Sequence, residues 1–230
     1  MAELAGAVWP RIPEAAQLVV PLGSVEQHGH HLPLATDTAV ASAVARAALP
    51  DLDGALLAPA LPYGASGEHE GFPGTVSIGT EALTAVLVEL GRSACRWAPR
   101  LLVVNGHGGN LEALRAAVPL LRTEGRDVAW FACGVPGGDA HAGRTETSLM
   151  LHVEPDEVRE ADAVAGETAP VRALLPRLRA EGVRAVSPTG VLGDPAGASG
   201  AEGAELLAAL ARRLVAAAAE WRVDPTGRLG

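Results

Sequence analysis

The run Leu101-Leu102-Val103-Val104, apolar without interruption between Arg100 and Asn105, constrains this chain more than any other feature. A strand with one wet face alternates apolar and polar residues, whereas an unbroken apolar run suits a strand covered on both faces. Leu18-Val19-Val20 has the same character and runs into Pro21-Leu22-Gly23-Ser24; residues 55–58 and 128–133 are further candidate strands. Helical segments lie between them. Residues 38–48 are Ala-rich and unbroken until Pro50 stops them. Thr80 is placed to cap a helix whose Leu83, Val86, Leu87 and Leu90 recur at the spacing of one buried face. Asn110 opens another helix through Leu121. Beyond Thr145 the chain is largely helical and ends in an Ala-rich helix over residues 201–221, with residues 190–203 read as an ordered loop or cover segment. Strands alternating with helices predict an α/β fold with a mostly parallel sheet. A chain of 230 residues with no internal repeat and no linker is expected to form a single domain over residues 1–230.

Charge and composition narrow the function. The formal net charge is -9 and no block of basic residues occurs, which argues against nucleic acid or an anionic membrane as partner. Every basic residue apart from histidine is arginine. The absence of lysine removes Schiff-base chemistry and a Walker-type phosphate loop. No apolar run is long enough to span a bilayer, and residues 1–13 lack the basic start and long apolar core of a secretory signal, so the expected location is the cytoplasm. Cys95 and Cys133 are too few for a disulfide framework and are expected to be reduced and mostly buried, Cys133 at a strand end near the polar clusters.

Polar residues gather where the predicted strands end, and in an open parallel sheet the ligand crevice lies outside the carboxyl ends of the strands. The first cluster runs from Gly23-Ser24-Val25-Glu26-Gln27-His28-Gly29-His30-His31 to Asp37. Glu26 and His28 are two apart, so on extended backbone their side chains face the same way. Asp37 sits just before a helix, where the dipole favours a carboxylate. Asn105-Gly106-His107-Gly108-Gly109-Asn110 follows the strongest strand, and Asp139-Ala140-His141-Ala142-Gly143-Arg144-Thr145-Glu146-Thr147-Ser148 follows another. Carboxylates and imidazoles without thiolates suit Zn, Fe(II) or Mn, and Glu26, His28, Asp37, His107 and Glu146 are more ligands than one catalytic zinc takes. A pair of ions sharing a carboxylate would use them all, lower the pKa of a water and polarise an amide oxygen. A dinucleotide loop at Gly106 to Asn110 is disfavoured, because the third fingerprint glycine is missing and His107 stands at the centre. There is no Gly-x-Ser-x-Gly elbow for a serine hydrolase. His30 and His31 are expected in a partly exposed loop, and Glu68 and His69 either line a substrate mouth or belong to an ordinary polar loop.

Taken together, Gly23-Ser24-Val25-Glu26-Gln27-His28-Gly29, Leu32-Pro33-Leu34-Ala35-Thr36-Asp37, Phe72-Pro73-Gly74-Thr75, Asn105-Gly106-His107 and His141-Ala142-Gly143 through Glu146-Thr147-Ser148 resemble the creatininase family, in family order over residues 18–203. The resemblance implies a three-layer α/β/α sandwich, a homo-oligomer and two divalent ions per subunit. Glu26, Asp37 and His107 would hold one ion, and His28, Asp37 and Glu146 the other, with Asp37 bridging. It also implies that His141 shuttles a proton, a role that suits an imidazole. Two departures point away from creatinine and toward a larger substrate. Creatinine-hydrolysing members carry a glutamate where this chain has Gly109, and their aromatic lid is replaced by Gly134-Val135-Pro136-Gly137-Gly138. Residues 63–83 are most similar to members of the family's mycofactocin-system branch in actinobacteria. That likeness implies a peptidase that releases a radical-modified C-terminal Val-Tyr pair from a precursor peptide. The alternatives are a creatininase-type hydrolase of a small cyclic amide or formamide, and a non-catalytic metal-binding scaffold.

Overall fold

The computed structural model describes residues 3–230; Met1 and Ala2, the start of the segment read for a leader and of the expected domain, lie outside the described residues. The apolar runs become strands and the segments between them helices. In chain order these are β1 (Gln17–Leu22), α1 (Thr36–Ala48), β2 (Ala55–Leu57), α2 (Thr80–Ala94), β3 (Arg100–Asn105), α3 (Leu111–Thr123), β4 (Val128–Ala132) and α4 (Arg144–Val153). After α4 come α5 (Val171–Glu181), the short α6 (Val183–Val186) and the long α7 (Gly200–Glu220). The strands form one parallel sheet in the order β2-β1-β3-β4.

The apolar runs are continuous because successive side chains leave the sheet on opposite faces and both faces are covered. Val19, Leu57, Leu102, Val104 and Phe131 pack with Val44 of α1, Met150 of α4 and Leu210 and Leu214 of α7. The alternate residues Leu18, Val20, Leu56, Leu101, Val103 and Trp130 pack with Leu83 and Leu87 of α2 and Leu114 and Leu121 of α3. The result is the α/β/α sandwich that the resemblance implied.

Two helix starts differ from the sequence expectation. The N-cap of α2 is Gly79, and Thr80 makes no capping bond. Its buried stripe is Leu83, Leu87, Val88, Gly91 and Ala94, with Val86 exposed. The reason is close packing: a Cβ on Gly91 would sit 2.4 Å from Leu121 Cδ1, so α2 turns its small-residue edge toward α3. Helix α1 begins at Thr36, whose hydroxyl donates to Pro33 O at 2.7 Å, which brings Asp37 inside the first turn rather than before it.

From β1 the chain passes to β2 on one side and then returns to β3 on the other, which makes the crevice at the carboxyl ends of β1 and β3 the switch point of the sheet. Asn110, at the N-cap of α3, ties this crevice together. Its Nδ2 donates to Gly23 O at 2.9 Å and to Asn105 Oδ1 at 3.0 Å, and its Oδ1 accepts from Ala65 N at 2.9 Å. The side chain expected to open a helix thus holds together the ends of β1 and β3 and the loop after β2.

Candidate metal centre

Asp37 is the hub of the crevice. Its Oδ1 lies 3.3 Å from His28 Nε2, and its Oδ2 lies 3.1 Å from His107 Nδ1 while accepting the Ser24 hydroxyl at 2.6 Å. The two oxygens of one carboxylate therefore face two different imidazoles. Each imidazole uses its other nitrogen on a backbone carbonyl: His28 Nδ1 on Glu26 O at 3.1 Å, and His107 Nε2 on Ala65 O at 3.1 Å. When the ring is neutral, an N–H given to a carbonyl leaves the opposite nitrogen to turn its lone pair inward, as in a metal-ligating histidine with its outer partner in place. Glycine makes the approach possible, because a Cβ on Gly106 would fall 2.3 Å from Asp37 O.

Glu26 projects from the segment after β1 and is fully buried, and among the described residues neither of its carboxylate oxygens has a hydrogen-bond partner. The nearest donors are His107 Nε2 at 3.1 Å and His69 Nε2 at 3.2 Å, off the line of a hydrogen bond. A buried, unbonded carboxylate costs several kcal/mol unless a cation compensates it. The donor set Glu26, His28 and Asp37 has ligand atoms within 4.8 Å of one another, as have His28, His141 and Glu146. These residues fit a divalent cation.

Glu146 stands in the first turn of α4 with its side chain 24% exposed, its Oε2 3.9 Å from His28 Nε2. It accepts Ala142 N at 2.6 Å. Ala142 adopts a left-handed φ of 51°, a strained choice for a residue with a Cβ, and is fully buried.

The electrostatics agree with a site built for positive charge. Burial works against the charged form of His28, but Asp37, Glu146 and Glu26 prevail and lift it to about 9. His107 is lifted to about 10 against burial, by Glu26 and Asp37. Glu26 is raised to about 7, chiefly by burial. Asp37 is held well below the usual carboxylate range: burial opposes this, and His28 and His107 outweigh it. Burial pushes His141 well below its ordinary value, with His28 and His69 adding to the shift.

All six residues singled out in the sequence, Glu26, His28, Asp37, His107, His141 and Glu146, meet in this crevice. His141 is buried, its ring 4.2 Å from that of His28. The loop after β2 also contributes, which spacing did not predict. His69 is buried rather than part of an exposed polar loop, with its ring 4.5 Å from that of His141 and its pKa lowered to about 3 by burial, His107 and His28. The sequence signal for it was the resemblance of residues 63–83 to other members of the family. Glu68 stays at the edge, its Oε1 3.5 Å from His107 Nε2. A Cβ on Gly109 would meet that oxygen at 2.6 Å and Ala65 O at 2.3 Å, so the side chain that Gly109 lacks would project into space held by residues 65–68. His31 departs from the expected loop role: it is buried, and its Nε2 pairs with Thr147 Oγ1 at 2.9 Å, while His30 is exposed. Cys133 is buried in the core beside β4.

A creatininase family model, described as creatinine amidohydrolase, matches residues 6–218. A "Mycofactocin precursor peptide peptidase" of Mycolicibacterium smegmatis is 54% identical over 92% of this chain and 88% of its own length. The protein of that name from Mycobacterium tuberculosis (strain CDC 1551 / Oshkosh) is 54% identical over 99% of this chain and 94% of its own. A crystal structure of creatinine amidohydrolase superposes with a TM-score of 0.79 at 27% identity, covering 96% of this chain and 97% of that one. With the motifs in order, the sandwich in place and the match spanning nearly the whole chain, this protein belongs to the creatininase family.

Proposed function

We propose that the chain is a two-metal amide hydrolase that cuts a mycofactocin precursor peptide and releases its modified C-terminal Val-Tyr dipeptide. The observation that carries the reaction is Asp37, whose two oxygens face the inward nitrogens of His28 and His107. The choice of substrate rests on likeness to the mycobacterial peptidases. In this reading Glu26, Asp37 and His107 hold one ion and His28, Asp37 and Glu146 the other, either ion being Zn, Fe(II) or Mn. The ions, when bound, lower the pKa of water and polarise the amide oxygen. The chain's own residues supply the rest. Glu26 and Asp37 concentrate negative charge where the cations sit, and the strained Ala142 N–H orients Glu146. His141 Nε2 lies 2.7 Å from Gln27 O, so that nitrogen carries the proton and Nδ1 turns inward as the acceptor that collects a proton and returns it to the leaving amine. The same reading takes residues 1–230 as one metallohydrolase domain working in the cytoplasm as a homo-oligomer. Among the described residues no helix is long and apolar enough to cross a membrane.

The test is to incubate the purified protein with the radical-modified precursor peptide and follow the masses. Release of a modified Val-Tyr fragment, lost on chelation and in Glu146→Ala, is the expected result. An intact peptide with metals bound would overturn the substrate reading and favour the second one, a small cyclic amide or formamide, which the family model's description supports.

A further inference from the structure

Gln27, between Glu26 and His28, reaches both His69 and His141. Its Oε1 accepts Gly29 N at 2.9 Å, and its Nε2 donates to Gly190 O at 3.0 Å, which fixes which way the amide points. The Nε2 group also lies 2.9 Å from His69 Nδ1 and 3.0 Å from His141 Nε2. An amide nitrogen has two protons, and these three contacts compete for them. The backbone resolves the competition. His141 Nε2 is 2.7 Å from Gln27 O, which only accepts, so His141 Nε2 must itself carry a proton and cannot receive one. The second amide proton therefore goes to His69 Nδ1, and His69 carries its own proton on Nε2. Both imidazoles are thus protonated at Nε2 but are turned in opposite senses: His69 presents an N–H to the crevice, and His141 presents a lone pair.

Glu26 Oε1 lies 3.2 Å from His69 Nε2 but has no hydrogen-bond partner among the described residues, so the N–H of the buried His69 is not spent on that carboxylate. The acceptor that an amide substrate brings is its carbonyl oxygen. Resting on the amide-hydrolase reading above, we infer that His69 is a catalytic hydrogen-bond donor to the scissile carbonyl oxygen, and that Gln27 is the positioning residue that sets His69 as donor and His141 as acceptor. A neutral N–H placed before the reaction stabilises charge as it develops on oxygen. The two histidines then have separate tasks, one holding the oxygen and the other moving the proton.

The first readout needs no substrate. Zinc-loaded protein labelled with 15N-histidine reports tautomers through long-range 1H–15N correlations. Both His69 and His141 are expected as Nε2-protonated neutral rings. In Gln27→Glu a carboxylate replaces the amide donor, so His69 is expected to switch to the Nδ1-protonated form while His141, held by the backbone carbonyl, does not. An Nδ1-protonated or doubly protonated His69 in the unaltered protein would overturn the inference, as would a His69 Nε2 signal showing metal ligation. The second readout is turnover of the modified peptide. His69→Gln, which keeps an amide N–H, is expected to retain kcat within about tenfold, whereas His69→Leu loses about a hundredfold or more in kcat with KM little changed, the size seen for a single oxyanion donor. Equal kcat in the Leu variant and the unaltered enzyme would also overturn it. If the unaltered enzyme leaves every peptide intact, the substrate reading fails on its own, and the tautomer pattern still decides the arrangement of Gln27, His69 and His141.

Discussion

Gly106→Ala is a one-carbon perturbation with a calculable effect on the centre. The added Cβ would lie 2.3 Å from Asp37 O, 3.1 Å from its carbonyl carbon and 3.4 Å from Ala41 Cβ. The first obstacle is backbone, which cannot rotate away, so α1 and the loop after β3 must separate by about 1 Å to reach ordinary contact. Overpacking of this kind costs about 1–3 kcal/mol, which for a chain of this size lowers Tm by about 2–12 °C. The same displacement acts on the metal centre. His107 Nδ1 and Asp37 Oδ2 are 3.1 Å apart, a span that two ligands of one ion at about 2.0–2.2 Å can bridge. At about 4 Å they could share an ion only in a nearly linear array, which tetrahedral zinc does not adopt. Zinc affinity is expected to fall about tenfold to a hundredfold, comparable to losing a supporting contact. Thermal melts of the metal-free protein and competition with a chromophoric chelator separate the two effects. Gly108→Ala is the control, because its Cβ would meet nothing within 4 Å. An alanine at 106 with unchanged Tm and unchanged affinity would refute the claim that this glycine sets the distance between His107 and Asp37.

Metal uptake should release protons. In the metal-free protein His28 and His107, raised from 6.5 to about 9 and about 10, are protonated at pH 7, so affinity should rise with pH and fall in acid. Calorimetry in buffers of different ionisation enthalpy checks this, and buffer-independent heats would contradict it. Raised pKa values favour the protonated fold, so the stability these two groups lend the metal-free protein should be full below pH 6.5 and lost as pH rises through 9 to 10, a trend that melts can follow. Cys133, pushed up to about 12 by burial, should resist iodoacetamide at pH 8 until the protein unfolds, while the partly exposed Cys95 reacts first, as peptide mapping would show. Leu114→Ala, at a fully buried site between α3 and the sheet, should cost about 2–5 kcal/mol in denaturant melts, whereas Leu120→Ala on the exposed side of the same helix should stay within about 0.5 kcal/mol.

The layers of the fold were legible in the sequence because burial on both faces leaves a mark that needs no partner to be seen. Leu101 to Val104 is apolar at every position, and the positions that alternate along β3 do enter two different cores. The helix faces were less legible. Val86 matched the apolar spacing of α2 yet lies on the outside, since the inner face is chosen by how closely Gly91 lets α3 approach, and that depends on Leu121 thirty residues away.

The candidate site divides in the same way. Glu26 and His28 could be paired from the sequence because two residues on extended backbone share a face, and Asp37, His107, His141 and Glu146 stood out as polar residues following predicted strands. By itself the sequence determined that strands alternate with helices around a mostly parallel sheet and that these polar residues gather at strand ends, since both follow from local rules. The three-layer sandwich and the ligand set were implied by the family resemblance. Spacing could not show that Asp37 turns one oxygen to His28 and the other to His107, or that residues 65–69 bring His69 against Glu26. Those contacts join segments up to seventy residues apart, and their distances are set by backbone approaches that only glycine at 106 and 109 permits. Tertiary structure also decided the protons: a backbone carbonyl at 2.7 Å and one amide at 2.9 Å orient His141 and His69, and a hydrogen-bond partner across the fold leaves no trace in the order of the residues.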